Sequence, residues 1–186
     1  HSLGGKVVLA AQRASGQRFP RAVVLDASPS ARPDGVGSEQ SRDVLALLAR
    51  LPREFATRAE FVNAVEAGGQ TRDIAQWLAM ALRPGGRGFV LPLDLPGLES
   101  LFRSVLAEDD WDVVGSVPPG HRLAFVVGGR SGVVEPAARA RLAALAPAVT
   151  LEEVPGAGHW LHVDAPDATF AAIERGLAEP TVLRPP

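Results

Sequence analysis

Leu123-Ala-Phe-Val-Val127-Gly-Gly129 is an apolar run, rich in β-branched residues, that ends in two glycines. This pattern is typical of a buried strand followed by a turn. Val149–Val154 is a second such run, and a helical segment that begins at a proline lies between the two. Upstream, Arg21–Leu25 is a third, preceded by an apolar helical segment that ends near Gly16. Strands that alternate with helices in this way indicate an α/β fold with a parallel sheet.

The middle of the chain interrupts this alternation. Between residues 38 and 112, apolar residues recur at helical spacing in four short segments, with no strong strand pattern between them. The first has Val44 and Leu47, and the last has Leu98 and Phe102. We therefore predict a helical insertion over residues 35–112, and a core that consists of residues 1–34 and 113–186.

The composition excludes several classes of function. Among 186 residues, 19 Lys and Arg stand against 21 Asp and Glu, so the chain lacks the basic surface of a nucleic-acid-binding protein. Without cysteine there are no disulfides and no thiolate metal sites, and the four histidines show no metal-ligand spacing. We therefore expect no metal and no cofactor. No apolar run approaches the roughly 18–20 residues of a membrane span, and we expect a cytoplasmic protein of undefined oligomeric state.

His1-Ser2-Leu3-Gly-Gly5 stands at the start of a helical segment rich in small residues. A serine nucleophile on a sharp strand-to-helix turn needs small neighbours, as in the pattern G-x-S-x-G, whose first glycine would precede His1. The helix that follows would present its N-terminus to a developing oxyanion, with the N–H of Leu3 as one donor. The alternative is that Ser2 only caps the helix, because serine is a favoured N-cap residue.

Pro155-Gly-Ala-Gly-His159-Trp160 is a glycine-rich loop between a predicted strand and a predicted helix. Active sites of open α/β sheets lie at the carboxyl ends of the strands, where a neutral imidazole can accept a serine proton near pH 7. We therefore predict that His159 is a general base. The alternative is a loop histidine that packs beside Trp160.

Two carboxylates are candidates for the acid that would orient this imidazole. Asp26 directly follows the strand Arg21–Leu25, at the sheet edge where His159 is expected. Glu135 is the first carboxylate after the strand that ends at Val127, but it precedes Pro136 and suits a helix N-terminus. We choose Asp26. The alternative for Asp26 is an Asx turn ahead of Ser28-Pro29.

Four segments together resemble the α/β-hydrolase superfamily: His1–Lys6, Val24–Pro29, Val127–Ser131 and Gly156–Asp164. They are most similar to its branch of small serine esterases and thioesterases with a short helical cap. In that branch the acid follows the strand after the nucleophile, and a Gly-Gly-x-Ser motif follows the penultimate strand. Both features recur here, at Asp26 and at Gly128-Gly-Arg-Ser131. The similarity covers only the second half of the family's fold. We therefore expect an N-terminally truncated hydrolase whose cap is residues 35–112.

The resemblance implies a serine hydrolase that cleaves a small-molecule carboxylic ester or thioester through an acyl-enzyme, with Ser2 as nucleophile. Four aromatic residues are expected to line the substrate pocket: Trp77, Phe89, Phe102 and Trp160. A carbon–carbon bond hydrolase with the same three side chains remains an alternative, as does a non-catalytic binding protein or an inactive fragment. We expect residues 1–186 alone to have little activity, because the second oxyanion donor lies outside them.

Overall fold

The computed structural model describes residues 1–33, 35 and 39–178. Their helices and strands are, in chain order, α1 (Leu3–Ala14), β1 (Arg21–Leu25), α2 (Glu39–Arg50), β2 (Glu54–Phe55), α3 (Arg58–Ala67), α4 (Arg72–Ala79), β3 (Arg83–Gly85), β4 (Gly88–Val90), α5 (Leu95–Ala107), α6 (Trp111–Val114), β5 (Arg122–Gly128), α7 (Pro136–Ala143), β6 (Val149–Val154), α8 (Leu161–Asp164) and α9 (Pro166–Leu177). The described residues form two compact units, one drawn from His1–Gly37 and Val105–Pro186 and the other from Ser38–Ser104.

A parallel three-stranded sheet, in the order β1-β5-β6, organises the first unit. Its register pairs Leu25 with Val126, and Gly128 with Val154. Because the strands are parallel, their carboxyl ends lie at one edge of the sheet, and the loops that begin at Asp26, Gly129 and Pro155 start there. The predicted α/β fold with a parallel sheet is confirmed.

Helices cover both faces of this sheet. Neighbouring residues of a strand point to opposite faces, so Val23 and Val24 of β1 mark the two sides. On the Val24 side, Leu9 of α1 is fully buried in a cluster that also contains residues of α6 and α7. On the Val23 side, Leu161 and Ala172 pack from α8 and α9. Full burial of a side chain such as Leu9 contributes about 1.5–3 kcal/mol to the free energy of unfolding.

The helix α1 approaches the sheet closely because its third residue is a glycine. A β-carbon at Gly5 would lie 2.6 Å from the Cβ of Ala27 and 2.9 Å from the Cγ1 of Val24. Buried Asp110 anchors the other side of α1, since its carboxylate contacts Lys6 Nζ at 3.0 Å and Arg13 Nη2 at 3.1 Å. The position of α1 relative to β1 is therefore fixed from two sides.

The second unit is mostly helical, and the four predicted amphipathic helices are α2, α3, α4 and α5, of which the last continues past Ser104 to Ala107. Its buried core includes Leu47, Phe61 and Leu78. Thr57 caps α3 by accepting the Glu60 N–H at 3.1 Å. The small antiparallel sheet β2-β4-β3 was not predicted, because its strands have only two or three residues each and therefore too few positions to show alternation.

The boundary of this unit also differs from the predicted insertion over residues 35–112. The second unit ends at Ser104, and α6 belongs to the sheet unit. Trp111 and Val114 are buried in the same cluster as Leu9 and Phe125, because their apolar side chains find partners there. A role of the second unit as a cap remains a prediction.

The two adjacent glycines Gly4 and Gly5 provide a matched test of the helix–sheet contact. We expect Gly5→Ala to lower the free energy of unfolding by about 1–3 kcal/mol, because the new methyl group overpacks a fixed interface. Gly4→Ala, with no atom within 4 Å of its β-carbon position, should be neutral or stabilise by up to about 1 kcal/mol. Urea unfolding of both variants measures the difference, and equal effects would contradict the packing argument.

Candidate active site

Ser2 lies on a turn directly before α1, in an unusual backbone conformation. Its φ of 55° and ψ of −124° lie outside the regions that a residue with a β-carbon normally adopts. The Ser2 N–H donates to the carbonyl oxygen of Leu25 at 2.9 Å and so joins the turn to the end of β1. The hydroxyl makes no capping hydrogen bond to α1. It points to His159 instead, so helix capping does not account for this serine.

His159 lies between the other two predicted site residues. Its Nε2 is 3.1 Å from Ser2 Oγ, and its Nδ1 is 2.7 Å from Asp26 Oδ2. An ionised carboxylate only accepts hydrogen bonds, so Nδ1 carries a proton and donates it to Asp26. In the neutral imidazole this leaves Nε2 as an acceptor that faces the serine hydroxyl. The structure therefore brings together the three residues that the sequence pattern singled out.

Asp26 is fully buried and accepts three hydrogen bonds. Besides His159, Ser131 Oγ donates to Oδ2 at 2.5 Å and the Gly128 N–H donates to Oδ1 at 3.1 Å. Ser131 Oγ itself accepts the Val133 N–H at 3.2 Å, which leaves its proton for Asp26. The carboxylate is thus bound by the loop after β5, and no Asx turn forms. Asp26 also has a positive φ of 44°, a second strained backbone position at the site.

Glycines allow the loop of His159 to approach the end of β5. A β-carbon at Gly128 would collide with the carbonyl oxygen of Gly158. Two side chains hold the loop from outside: Asp164 Oδ2 accepts the Gly158 N–H at 2.7 Å, and Arg130 Nε donates to the Gly156 carbonyl at 2.6 Å. The first glycine of the Gly-Gly-x-Ser motif, Gly128, is therefore required for steric reasons.

His1 adds a contact that the sequence pattern did not predict. Its Nε2–H donates to the carbonyl oxygen of His159 at 2.8 Å, so the residue before Ser2 holds the backbone of the residue that faces Ser2. The rings of His1 and His159 are 4.6 Å apart, and Trp160 packs 5.5 Å from His1. Trp160 is thus beside the site.

Glu135, the rejected candidate acid, serves another part of the fold. Its carboxylate accepts hydrogen bonds from Ser28 Oγ at 3.0 Å and Ser30 Oγ at 2.7 Å, and pairs with Arg32 at 2.9 Å. Partial burial raises the pKa of Glu135, but these hydrogen bonds and the charge of Arg32 outweigh burial, so the pKa lies below its usual value. Glu135 therefore fixes the loop after Asp26 and makes no bond to His159.

The remaining expected site residues are placed as follows. Leu3 is the first residue of α1, where a backbone N–H has no acceptor within the helix, and its role as an oxyanion donor remains a prediction. Trp77 on α4, Phe89 on β4 and Phe102 on α5 belong to the second unit, and their role in a substrate pocket remains a prediction. Within the described residues, no cluster of three or more His, Asp or Glu side chains is arranged to hold a metal ion. In the same part of the chain, no helix combines the length and apolarity of a membrane span.

Comparisons with known proteins identify the family of the chain. The model of the alpha/beta hydrolase family matches residues 1–173, and the chain belongs to that family. The chain is 27% identical over 180 residues to "Esterase YbfF" of Escherichia coli (strain K12), covering 95% of this chain and 65% of the relative. It is 28% identical over 192 residues to "sn-1-specific diacylglycerol lipase ABHD11" of Mus musculus, covering 96% of this chain and 57% of that relative.

A solved structure described as "Marine microorganism esterase" has the same fold. It superposes with a TM-score of 0.79 at 18% identity, over 95% of this chain and 68% of that one. The chain thus spans about six-tenths of the length of the two curated relatives.

The charge of Glu135 should be visible in the pH dependence of stability. Its pKa is lower in the folded than in the unfolded protein, so its contribution is complete above the unfolded value of about 4.3 and is lost as the pH falls through the folded value. We expect Glu135→Gln to lower the free energy of unfolding by about 1 kcal/mol at pH 7, and by progressively less below about pH 4.

The matched control for this pH series is Glu152→Gln, which removes the surface ion pair with Arg175. Its effect should stay below about 0.5 kcal/mol. Urea unfolding between pH 3 and pH 7 measures both variants. If the loss of unfolding free energy in Glu135→Gln does not change with pH, the lowered pKa of Glu135 is contradicted.

Proposed function

We propose that this chain carries the catalytic residues of a serine hydrolase that cleaves a carboxylic ester or thioester. The observation that supports the proposal most directly is the chain of two hydrogen bonds from Ser2 Oγ through His159 to Asp26. The family and the names of the curated relatives point to the same chemistry. A thiol or alcohol leaving group, a small-molecule substrate and a cytoplasmic location remain parts of the proposal.

In the first step, Ser2 Oγ attacks the carbonyl carbon of the substrate while His159 Nε2 takes the hydroxyl proton. The imidazolium that forms is stabilised by Asp26, whose carboxylate is held ready by Ser131 and Gly128. The new oxyanion accepts a hydrogen bond from the N–H of Leu3 at the positive end of α1. One such donor contributes about 2.7–4 kcal/mol to the stability of the transition state.

In the second step, the tetrahedral intermediate collapses and breaks the bond to the leaving group. His159 returns its proton to the departing oxygen or sulfur, and the acyl group stays on Ser2. Water then repeats the sequence: His159 accepts a proton from it, the hydroxide adds to the acyl carbon, and the acid is released as Ser2 regains its proton. Atoms and charges balance without a cofactor.

The strained turn at Ser2 supports its part in this scheme. The positive φ turns the hydroxyl away from α1 and toward His159, at a cost of the order of 1–3 kcal/mol that surrounding contacts must offset. The backbone bond to Leu25 and the close approach of Gly5 to Ala27 supply such contacts. A serine that only capped the helix would adopt an extended conformation instead.

Labelling with a fluorophosphonate tests the nucleophile. We expect the whole protein to form a stable covalent adduct and Ser2→Ala to form none, because the probe reacts with an activated serine. Ser131→Ala, which removes a serine hydroxyl close to the site but not the proposed nucleophile, is the control and should still be labelled. Absence of labelling in the whole protein would favour a binding protein, and equal labelling of Ser2→Ala would reject Ser2.

Replacement of the acid tests the orienting role of Asp26. We expect Asp26→Asn to lower kcat for p-nitrophenyl esters by about 10⁴-fold, as an amide no longer selects the productive imidazole tautomer. Glu135→Gln is the matched control, and we expect it to keep kcat within a few-fold of the original value at pH 7. Steady-state kinetics on both variants decide the assignment, and the reverse order of effects would transfer the role to Glu135. The same assay, applied to residues 1–186 alone, tests the expectation that they have little activity.

A further inference from the structure

Arg139 on α7 makes an unusual set of contacts with the loop after β5. Its Nη2 donates to the carbonyl oxygens of Gly128 and Ser131, each at 2.9 Å, and its Nε donates to the carbonyl oxygen of Val134 at 2.9 Å. Nη1 pairs with Glu153 at 2.6 Å. The side chain is only 19% exposed, so these bonds are largely shielded from water. One guanidinium thus binds both ends and the middle of residues 128–134.

The two residues held by Nη2 are the same two that bind Asp26 in addition to His159. Gly128 offers its N–H and Ser131 its hydroxyl to the carboxylate, while their carbonyl oxygens accept from Arg139. We propose that Arg139 is a positioning residue, which fixes Gly128 and Ser131 so that Asp26 keeps the geometry required by His159. The proposal rests on the function proposed above and extends it to a residue that touches neither substrate nor the three reacting side chains.

The composition of the loop explains why an outside contact is needed. Gly129 and Gly132 are two of the six residues from Gly129 to Val134, and glycine leaves the backbone many conformations. Nothing lies within 4 Å of the β-carbon position of Gly132, whereas Val134 is buried in the core. A planar guanidinium with five N–H donors can bind several carbonyl oxygens at fixed angles. A lysine ammonium carries its charge and its donors on one nitrogen atom and does not offer this geometry.

Arg32 contacts the same loop but at a different place. Its Nη1 donates to the carbonyl oxygen of Val133 at 3.3 Å and pairs with Glu135. These bonds connect the loop to the segment after Asp26 and do not reach Gly128 or Ser131. The positioning of the two donors to Asp26 is therefore assigned to Arg139.

Two measurements on the whole protein test the proposal. In Arg139→Met, we expect kcat for p-nitrophenyl acetate to fall by about 10- to 100-fold with KM within about twofold, because a displaced acid slows chemistry more than binding. In the substrate-free protein, the low-field proton resonance of His159 Nδ1–H, identified by its loss in Asp26→Asn, should move upfield as the bond to Asp26 weakens. A purely structural role of Arg139 would lower stability without moving that resonance.

Glu153→Gln is the matched control, because it removes the ion pair of Arg139 and leaves the three carbonyl contacts in place. We expect its kcat and resonance to remain those of the unchanged protein. A double-mutant cycle with Ser131→Ala adds a second criterion: if Arg139 acts through Ser131, the loss caused by Arg139→Met should be smaller by roughly twofold or more in the Ser131→Ala background.

The outcomes separate this proposal from the proposed function. If Arg139→Met does not fold, Arg139→Lys is measured in its place, with the same expected direction and a smaller loss. An unshifted resonance with kcat within twofold, or strictly additive losses in the cycle, would overturn the role of Arg139. A whole protein that hydrolyses no ester and takes no fluorophosphonate fails the proposed function, and the resonance then still decides whether Arg139 positions Asp26.

Discussion

The buried carboxylate of Asp26 is the constraint on which the rest of the first unit depends. An unpaired charge in a protein interior is costly by several kcal/mol, so a carboxylate with no exposure must be surrounded by donors. Here the donors come from three separate positions, Gly128, Ser131 and His159, which the parallel sheet brings to one edge. The carbonyl oxygen of each donor residue is in turn bound: Arg139 binds those of Gly128 and Ser131, and His1 binds that of His159. These hydrogen bonds orient the His159 imidazole toward Ser2.

The sequence allowed the proximity of Ser2, Asp26 and His159 to be predicted, because each adjoins a strand or helix whose direction in a parallel sheet is known. Ser131 was also visible, as part of a short motif. The contacts of Arg139 could not be predicted, because they depend on the angle at which α7 packs against the sheet, and no local sequence pattern encodes that angle. The small sheet β2-β4-β3 and the place of α6 were missed for a related reason: elements of two to four residues are defined by their tertiary contacts.

The same edge of the sheet shows how two carboxylates of similar chemistry acquire different tasks. Asp26 extends β1 and is enclosed on all sides, whereas Glu135 lies at the start of α7, is partly open to water and is matched by Arg32. Both bind serine hydroxyls, yet only Asp26 reaches the imidazole. Position in the fold, rather than residue type, therefore distinguishes the carboxylate that contacts the imidazole from Glu135, which stabilises the loop after Asp26.

The distribution of the site along the chain has a consequence for its biosynthesis. A ribosome makes Ser2 and Asp26, in the α1–β1 segment, before His159, which follows Asp26 by 133 residues. At about 5–20 residues per second, translation of that interval lasts roughly 7–27 s. Until Ser131 has been made, 105 residues after Asp26, the Asp26 carboxylate has neither Ser131 nor His159 as a partner and must stay hydrated. The three side chains can therefore come together only after β6 and the loop that carries His159 have been made.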